Sequence, residues 1–462
     1  MLTPRQALTV LPAEAALLNA AGLDSPDAEA WFRRAIRSAP DQPEPHSNLS
    51  AALLALGRRD EAEREGLLAT ILAPGNAEAW NNLGNALLER RAYDETLSVV
   101  RRARSCRPDF PDACINEGGL RLDLGETAEG TRLSRLAAAL DPGSAGAWNN
   151  LANGLLLGCR LSEADDAFGH AETLLPDDAQ IRFNHAAVLL KQGRFPEGWE
   201  AYEARRRTPA ALIRRQSFDP PEWQGGDPAG RTLLLSTEQG YGDALQFCRF
   251  AVWMAERGAQ VIVRTEPPLV RLLKTLPGVS DVVATGDPLP PFDFHAPLMS
   301  LPRLYPEMTV RVPYLFADPD PRLAGLPGRK IGLVWSGNPR PGQRAANLLD
   351  RRRSLTRAHF DDLAALSDVS LVSLQKDEGD FADTASLVMA LDLVVSVDTA
   401  VAHLAGALGK PVYILSRFDG CWRWLQGRDD TPWYPSARLF RQEKPGDWTA
   451  PLAALRKQIV TL

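Results

Sequence analysis

The chain has 462 residues, a net charge of −6 and an isoelectric point near 5.7, a balance that argues against a nucleic-acid-binding protein. Its 45% hydrophobic and 24% charged content is typical of globular domains, and the length indicates more than one of them. Five cysteines are scattered without paired or metal-ligand spacing, so neither a disulfide framework nor a zinc site is predicted.

Charged residues interrupt the apolar stretches of the chain. The N-terminal segment contains a proline and a glutamate, and the longest strongly apolar run, LVMALDLVVSV, contains Asp392. This pattern predicts neither a signal peptide nor a membrane span. We therefore expect a cytoplasmic protein.

The first half of the sequence repeats every 34 residues. A proline follows the helical pattern of each copy, where it ends a helix, and a small residue recurs where two helices would approach closely. The pattern predicts a domain of helical repeats spanning 1–210. The copies cover 9–42, 43–76, 77–110, 111–144, 145–178 and 179–210, the first being degenerate.

One polar position recurs within these copies. It is asparagine in five successive copies, although the chain has only 13 asparagines: Asn48, Asn82, Asn116, Asn150 and Asn184. Two residues along a helix turn it by about 200°, so Asn82 points away from Trp80. A ladder of amides in a groove can hold an extended peptide by its backbone, which makes these residues candidates for binding a protein. The alternative is a helix-packing asparagine copied by duplication.

After a linker at 211–230, strand-like runs alternate with helical ones, which predicts βα units and parallel sheets. Two sets, 231–325 and 326–462, are joined by proline-rich segments, and this indicates two facing halves with a cleft between them. Ligands of such sheets bind at the carboxyl ends of the strands. Polar residues at those ends are Glu238, Gln239, Asp243, Ser336, Asn338, Gln375, Lys376, Asp398 and Thr399.

Three motifs carry a resemblance to known families. The repeats, with AWNNLG at 79 and 147, resemble the tetratricopeptide repeat (TPR), and the asparagines resemble those lining the groove of the eukaryotic protein O-GlcNAc transferase. SVDTAVAHLAGALGKPV (396–412) resembles the donor-binding motif of bacterial heptosyltransferases, and GYGD (240–243) resembles the turn that opens their first half. The chain as a whole resembles bacterial TPR glycosyltransferases, including those that modify flagellin.

The resemblance implies that each copy is a pair of helices and that the copies form an α TPR superhelix. It also implies that an α/β glycosyltransferase of GT-B type with two facing Rossmann-like halves follows. It further implies transfer of a sugar to serine or threonine of a protein held by the repeats. The acceptor would be flagellin, and the donor a CMP-activated nonulosonic acid such as pseudaminic or legionaminic acid. The alternatives are an ADP-heptose or UDP-GlcNAc donor, and a non-catalytic TPR adaptor with a decayed transferase region. Ala400 departs from the heptosyltransferase pattern, which has glycine there.

Sugar transfer needs a base for the acceptor hydroxyl and stabilisation of the departing phosphate. Asp243 is the candidate base, with a helix cap as its alternative role, and Glu238 is the reserve.

For donor binding, the start of the helix in DTAVAH offers free N–H groups to phosphate. Thr399 and the backbone of Ala400 are expected to meet the phosphate, while Asp398 caps the helix or holds a ribose. His403 is either a ligand or a packed helix residue. The remaining candidates are Ser336, Asn338, Arg353, Gln375 and Lys376, with Arg340 or Arg353 for a carboxylate on the sugar.

No metal is expected. The Asp-x-Asp sequence at 318–320 lies in the proline-rich connection rather than at a strand end, and His295 is a lone histidine in a predicted loop. Four aromatic residues near the C-terminus are expected to close a core rather than stack on a ligand: Trp422, Trp424, Trp433 and Tyr434.

Overall fold

The computed structural model describes residues 28–208, 217–306, 311–339, 344–375 and 380–461, and its contacts divide the chain into two compact units after Pro176. Most of the degenerate copy 9–42, together with Arg340 and Lys376, lies outside the described residues. Within the described residues, no helix combines the length and apolar character needed to cross a bilayer.

The first unit consists of the predicted helix pairs. Helix α1 (Ala28–Ser38) precedes four pairs, each matching one 34-residue copy. The small residues Ala69, Ala103, Ala137 and Ala171 are fully buried, which lets the two helices of each pair approach closely. The pairs are α2 (Pro43–Ala55) with α3 (Arg59–Leu72), α4 (Ala77–Glu89) with α5 (Tyr93–Cys106), α6 (Pro111–Asp123) with α7 (Thr127–Leu140), and α8 (Ala145–Leu157) with α9 (Leu161–Leu174).

The first helices of neighbouring pairs lie closer together than the second helices do. Helix α4 packs against α2 and α6, and α6 also packs against α8, whereas the second helices make few contacts with one another. The array therefore curves toward its first helices, and α2, α4, α6 and α8 form its inner face, as in repeat solenoids generally.

The second unit begins with a further helical pair, α10 (Ala179–Lys191) and α11 (Phe195–Tyr202), followed by a 3₁₀ turn at Glu203–Arg207. The sequence pattern counts this pair as the last repeat, whereas the contacts place it with the α/β part. Trp199 explains this, because it packs edge-to-face against Phe247, Trp422 and Trp433.

Two parallel sheets follow. The first contains β1 (Thr232–Ser236), β2 (Gln260–Thr265), β3 (Val279–Ala284) and β4 (Phe294–Pro297) in the order β3-β2-β1-β4. The second contains β5 (Arg329–Val334), β6 (Val369–Ser373), β7 (Leu393–Val397), β8 (Val412–Ser416) and β9 (Ala437–Arg441) in the order β6-β5-β7-β8-β9.

Helices connect and cover these strands. They are α12 (Tyr241–Phe247), α13 (Arg249–Glu256), α14 (Pro267–Leu273), α15 (Leu301–Leu304), α16 (Arg344–Arg353), α17 (Asp361–Ala364), α18 (Phe381–Met389), α19 (Ala400–Ala407) and α20 (Thr449–Val460), with short 3₁₀ turns at Leu298–Ser300, Pro321–Leu323, Arg357–Phe360 and Trp422–Trp424. The central strands are almost wholly buried on both faces, which explains their continuous apolar sequences.

Three details differ from the sequence prediction. The helix expected from Ala244 begins at Tyr241 and is interrupted at Cys248. Strand β4, and with it His295, lies where a proline-rich loop was predicted, because a four-residue edge strand ending in proline carries little sequence signal. Strand β9 was also missed.

Candidate functional site

In each sheet the first strand in the sequence has its two following neighbours on opposite sides, so the direction in which strands are added reverses at that strand. Strand β1 has β2 on one side and β4 on the other, and β5 has β6 and β7 as its neighbours. Such reversals leave a crevice beyond the carboxyl ends of the strands, which is where ligands of open α/β sheets bind. The turn after β1 and the turn after β7 hold the two sequence motifs that resemble glycosyltransferases.

These two motifs touch each other. A side-chain carbon added to Gly242 would lie 3.1 Å from Cδ2 of His403 and 3.5 Å from Cα of Ala400. The glycine therefore permits a close approach between the start of α12 and the start of α19. Segments about 160 residues apart in sequence thus form one locus.

Asp243 is the third residue of α12. One carboxylate oxygen accepts a hydrogen bond from the N–H of Gly240 at 3.1 Å, so the residue caps its own helix, although from a position other than the one predicted. The other oxygen accepts a hydrogen bond from the guanidinium of Arg423. The side chain is 23% exposed, so the carboxylate remains reachable.

Sequence reasoning missed Arg423. It lies in the short turn after β8, and its Nε donates to Oε1 of Gln246 at 2.5 Å, one helical turn beyond Asp243. Burial lowers its pKa, but Cys421 and Asp243 outweigh that effect, and the net pKa is raised. Its only sequence signal is a single arginine between the tryptophans of CWRWL.

Glu238, the expected reserve base, is instead a structural anchor. Its carboxylate accepts a 2.5 Å hydrogen bond from Nε of the fully buried Arg205, which also donates to Oγ of Ser300 at 2.8 Å. Arg205 thus joins the segments that follow β1 and β4. A carboxylate this buried and already paired is poorly placed to accept a proton from an incoming hydroxyl.

The start of α19 has no side-chain cap. Thr399 occupies the N-cap position, but its hydroxyl lies 3.0 Å from Oγ of Ser396 and makes no capping bond. Asp398 does not cap the helix either, so the expectation that it acts as a helix cap was wrong. Helix starts without a side-chain cap offer backbone N–H groups and a positive dipole to an anion.

Arginines surround this helix start. Nη1 of Arg353 donates to the carbonyl oxygen of Asp398 at 2.5 Å, while its Nε and Nη2 bind Asp350 at 3.0 and 2.9 Å. Arg417, which sequence reasoning also missed, lies 4.0 Å from the Asp398 carboxylate and donates to Asp419 at 2.7 Å. Arg353 is therefore held by its own ion pair and fixes the turn after β7.

The remaining donor-side candidates lie at the ends of β5 and β6. The amide of Gln375 accepts hydrogen bonds from the N–H groups of Trp335 and Ser336 at 3.2 and 3.1 Å and donates to the Ser336 carbonyl oxygen at 3.0 Å. Gln375 thus ties two strand ends together. Asn338 is exposed just beyond them. Lys376 lies outside the described residues.

His403 is a packed helix residue. Its Nδ1 lies 3.0 Å from the Tyr434 hydroxyl, and its ring stacks on Trp424 at 5.2 Å. Burial, followed by the charges of Arg423, Arg249 and Arg353, lowers its pKa well below 6.5. The imidazole is therefore neutral, and the fully buried Trp424 and Tyr434 form core as predicted.

The recurring asparagines connect neighbouring repeats. Nδ2 of Asn82 donates to the Ser47 carbonyl oxygen at 3.2 Å, and Nδ2 of Asn150 donates to the Ile115 carbonyl oxygen at 3.1 Å. Nδ2 of Asn116 donates to the side-chain oxygens of Asn81 and Asn85 at 2.9 and 2.8 Å.

Asn48 and Asn184 occupy the same position of their pairs and share the partial burial of the other three. In the second unit, Oδ1 of Asn184 accepts a 2.9 Å hydrogen bond from Gln180. Helix packing is therefore part of the role of these asparagines, and the partial exposure leaves each amide accessible from one side.

Among the described residues, no group of three or more histidine, cysteine, aspartate or glutamate side chains is arranged to hold a metal ion. The Asp-x-Asp sequence has a local role, since Asp320 caps the turn at Pro321–Leu323 and binds Arg322.

The helical pairs and the parallel sheets define the class: a TPR-like array of helical pairs with a 34-residue period, together with an α/β unit of two parallel sheets. No family model matches the sequence. Protein FlbA of Caulobacter vibrioides is 29% identical over an alignment of 490 residues that covers 92% of this chain and 74% of that protein. The human protein O-mannosyl-transferase TMTC3 is 28% identical over 182 residues, covering 35% of this chain but only 20% of that protein.

Two solved structures of TPR proteins are similar to part of this chain. YrrB, a TPR protein with an unusual peptide-binding site, covers 37% of this chain and 89% of its own at 18% identity and a TM-score of 0.31. The thermophilic TPR protein TTC0263 of Thermus thermophilus covers 39% of this chain and 97% of its own at 24% identity and a TM-score of 0.33.

Proposed function

We propose that the protein is a glycosyltransferase that moves a sugar from a nucleotide donor to a serine or threonine of a protein held by the repeats. One observation carries the proposal: the turn bearing Asp243 lies against the uncapped start of α19, at the carboxyl ends of two parallel sheets. A carboxylate beside a helix start suits a reaction in which a base takes a hydroxyl proton and an anion departs.

In this proposal Asp243 accepts the proton of the acceptor hydroxyl. Gly240 and Arg423 fix the carboxylate from two sides, and its partial exposure leaves it accessible to an acceptor. A fixed carboxylate favours catalysis, because proton transfer requires the hydroxyl oxygen and the carboxylate oxygen to stay about 2.6–3.2 Å apart in a fixed orientation.

The donor phosphate would lie at the start of α19, with Thr399 and the N–H of Ala400 as its nearest groups. Ser336 and Asn338 at the end of β5 would contact the nucleoside. The ionic neighbours of Arg353 and Arg417 suit a positioning role beside the phosphate rather than direct charge neutralisation. In this proposal the two parallel sheets are the two halves of a GT-B arrangement, for which no metal is expected.

The donor and acceptor of this proposal come from the sequence resemblance: a CMP-activated nonulosonic acid and flagellin, with ADP-heptose and UDP-GlcNAc as alternative donors. The name of TMTC3, an O-mannosyl-transferase similar over a third of this chain, is in keeping with protein glycosylation as the broader role.

A thermal-shift panel with CMP, UDP, ADP and GDP tests the proposal. A nucleotide that binds the folded protein stabilises it by mass action, about 2.7 kcal/mol at a concentration a hundred times its dissociation constant. One nucleotide should raise the melting temperature of the wild-type chain. It should raise the melting temperature of a Gly242→Leu variant much less, because the leucine side chain occupies the space at the start of α19. If no nucleotide raises the melting temperature, the non-catalytic adaptor becomes the better explanation.

A further inference from the structure

The inner face of the repeat array offers mainly hydrogen-bond acceptors to a partner. The carbonyl oxygens of Ser47 and Ile115 can only accept hydrogen bonds, so the amide groups of Asn82 and Asn150 must turn their nitrogens toward them. The nitrogen of Asn116 likewise points to Asn81 and Asn85. These nitrogens thus bind neighbouring repeats, and the amide oxygens are the acceptors that remain; the oxygen of Asn150 also accepts a long hydrogen bond of 3.5 Å from Asn149.

The charges on this face have one sign. Every exposed charged side chain on α2, α4, α6 and α8 is a carboxylate, and Arg121, the single arginine of these four helices, is buried beside Glu117. The second helices differ, because α3, α5 and α7 expose several arginines. The exposed carboxylates of the first helices are Glu44, Glu78, Glu89, Asp112 and Asp123.

Glu78 and Glu89 each form an ion pair with an arginine at a helix end. Glu78 lies 2.7 Å from Arg107, and Glu89 lies 3.3 Å from Arg59. Both pairs are about half exposed, and water screens exposed ion pairs, so an incoming cation can replace the arginine.

We propose that the inner face of the array selects an extended protein segment that is rich in hydrogen-bond donors and carries lysine or arginine, and that it rejects acidic segments. Amide and carboxylate oxygens accept hydrogen bonds from backbone N–H groups, serine and threonine hydroxyls and ammonium groups. An acidic segment meets like charge without a compensating donor. This inference names the acceptor class of the proposed transferase and therefore rests on that function.

Direct binding tests it on the full chain without any sugar donor. Three fluorescent peptides about 20 residues long, about 65 Å when extended, contain serine, threonine and glycine and differ only at every fourth residue, which is lysine, alanine or glutamate. Fluorescence anisotropy should give the tightest binding for the lysine peptide, at least about tenfold tighter than for the glutamate peptide, with the difference shrinking as salt rises to about 0.5 M.

A pair of matched variants locates the effect. The triple variant Glu44→Lys, Asp112→Lys, Asp123→Lys changes the inner face and should reverse the order of the peptides. The control variant Asp60→Lys, Asp94→Lys, Asp166→Lys makes the same change in net charge on exposed positions of second helices and should leave the order intact. Melting curves of both variants confirm folding.

The proposal is wrong if the glutamate peptide binds wild type as tightly as the lysine peptide, if none of the peptides binds, or if both triple variants change the order equally. Binding in the expected order without any sugar transfer would instead remove the catalytic proposal and leave this selectivity standing.

Discussion

The guanidinium of Arg423 donates a hydrogen bond to the carboxylate of Asp243 and thereby joins the turn after β8 to the helix after β1. The same arginine binds Gln246 on that helix. A residue from the second sheet region therefore fixes the orientation of the candidate base in the first, and the two motifs that resemble glycosyltransferases are held together by a residue belonging to neither.

Replacing Asp243 with asparagine should abolish transfer while preserving nucleotide binding. The amide oxygen still accepts the Gly240 N–H, but an amide does not take up a proton, and loss of a positioned base costs about 10²–10⁴ in rate. Transfer is measured by intact-protein mass spectrometry and binding by thermal shift. Asp287→Asn, an exposed carboxylate in the turn after β3, is the control and should behave as wild type. Full activity of Asp243→Asn would exclude Asp243 as the base.

Replacing Arg423 should lower turnover through the position of Asp243. Arg423→Lys keeps the positive charge but loses the planar guanidinium that binds Asp243 and Gln246 together. Arg423→Gln removes both the charge and the guanidinium. We expect turnover to fall more in the glutamine variant than in the lysine variant, with little change in the KM for the donor. Equal turnover in all three proteins would show that Asp243 is oriented without Arg423.

Alanine at Asn82 and Asn150 should affect both stability and acceptor capture. Each substitution removes an inter-repeat hydrogen bond, worth about 0.5–1.5 kcal/mol, so urea unfolding of the repeats should shift modestly. Acceptor binding should weaken because the outward amide oxygens are lost. The control is Asn76→Ala, which removes the helix cap on Ala79 and lowers stability without touching the ladder. If Asn76→Ala weakens binding equally, stability rather than contact explains the effect.

Glu117 and Arg121 occupy two positions that are leucine in three of the other repeats: Leu49 and Leu53, Leu83 and Leu87, Leu151 and Leu155. Glu117 is fully buried and bound by Arg121 at 2.8 Å and by Arg104 at 2.7 Å. Glu117→Leu alone leaves the buried Arg121 with Glu126 as its remaining ionic partner, and it should destabilise the array by up to about 3–5 kcal/mol.

The double variant Glu117→Leu, Arg121→Leu restores the leucine pair of the neighbouring repeats and should recover most of that loss. Chemical denaturation followed by circular dichroism measures both proteins. A double variant as unstable as the single one would mean that the ion pair, rather than the stranded charge, sets the stability of this repeat.

Acid should destabilise the second unit through His403. The pKa of His403 is well below 6.5 in the folded chain. Below about pH 6.5 this imidazole therefore binds a proton in the unfolded chain but stays neutral in the folded chain. The free energy of unfolding should therefore fall by up to about 1.4 kcal/mol per pH unit on acidification. Above pH 6.5 the residue contributes no pH dependence.

Melting temperatures between pH 5 and 7.5 test this expectation. The variant His403→Gln keeps a hydrogen-bonding group near Tyr434 but does not titrate, so its melting temperature should fall less with acid than that of wild type. His170→Gln, at an exposed histidine of the first unit, should retain the wild-type slope. Parallel curves for His403→Gln and wild type would contradict the prediction.

The sequence by itself determined the elements with strong local signals. A 34-residue period with recurring prolines and alanines predicted the helical repeats, because each copy forms one structural unit. Continuous apolar runs predicted most strands, because strands of a parallel sheet are buried on both faces. It also indicated which strand ends carry polar residues, and two of those ends do meet at Gly242 and Ala400. Short edge elements such as β4 and β9 carry too few residues to stand out from their loops.

Only the tertiary structure decided the partners of the charged residues. Arg205 and Glu238 are 33 residues apart and Arg423 and Asp243 are 180 apart, and no local pattern encodes which guanidinium neutralises which carboxylate. A buried charge needs a nearby opposite charge, and the chain path supplies it. The same physics separates Asp243, partly exposed at the candidate site, from Glu238, buried five residues earlier as an anchor.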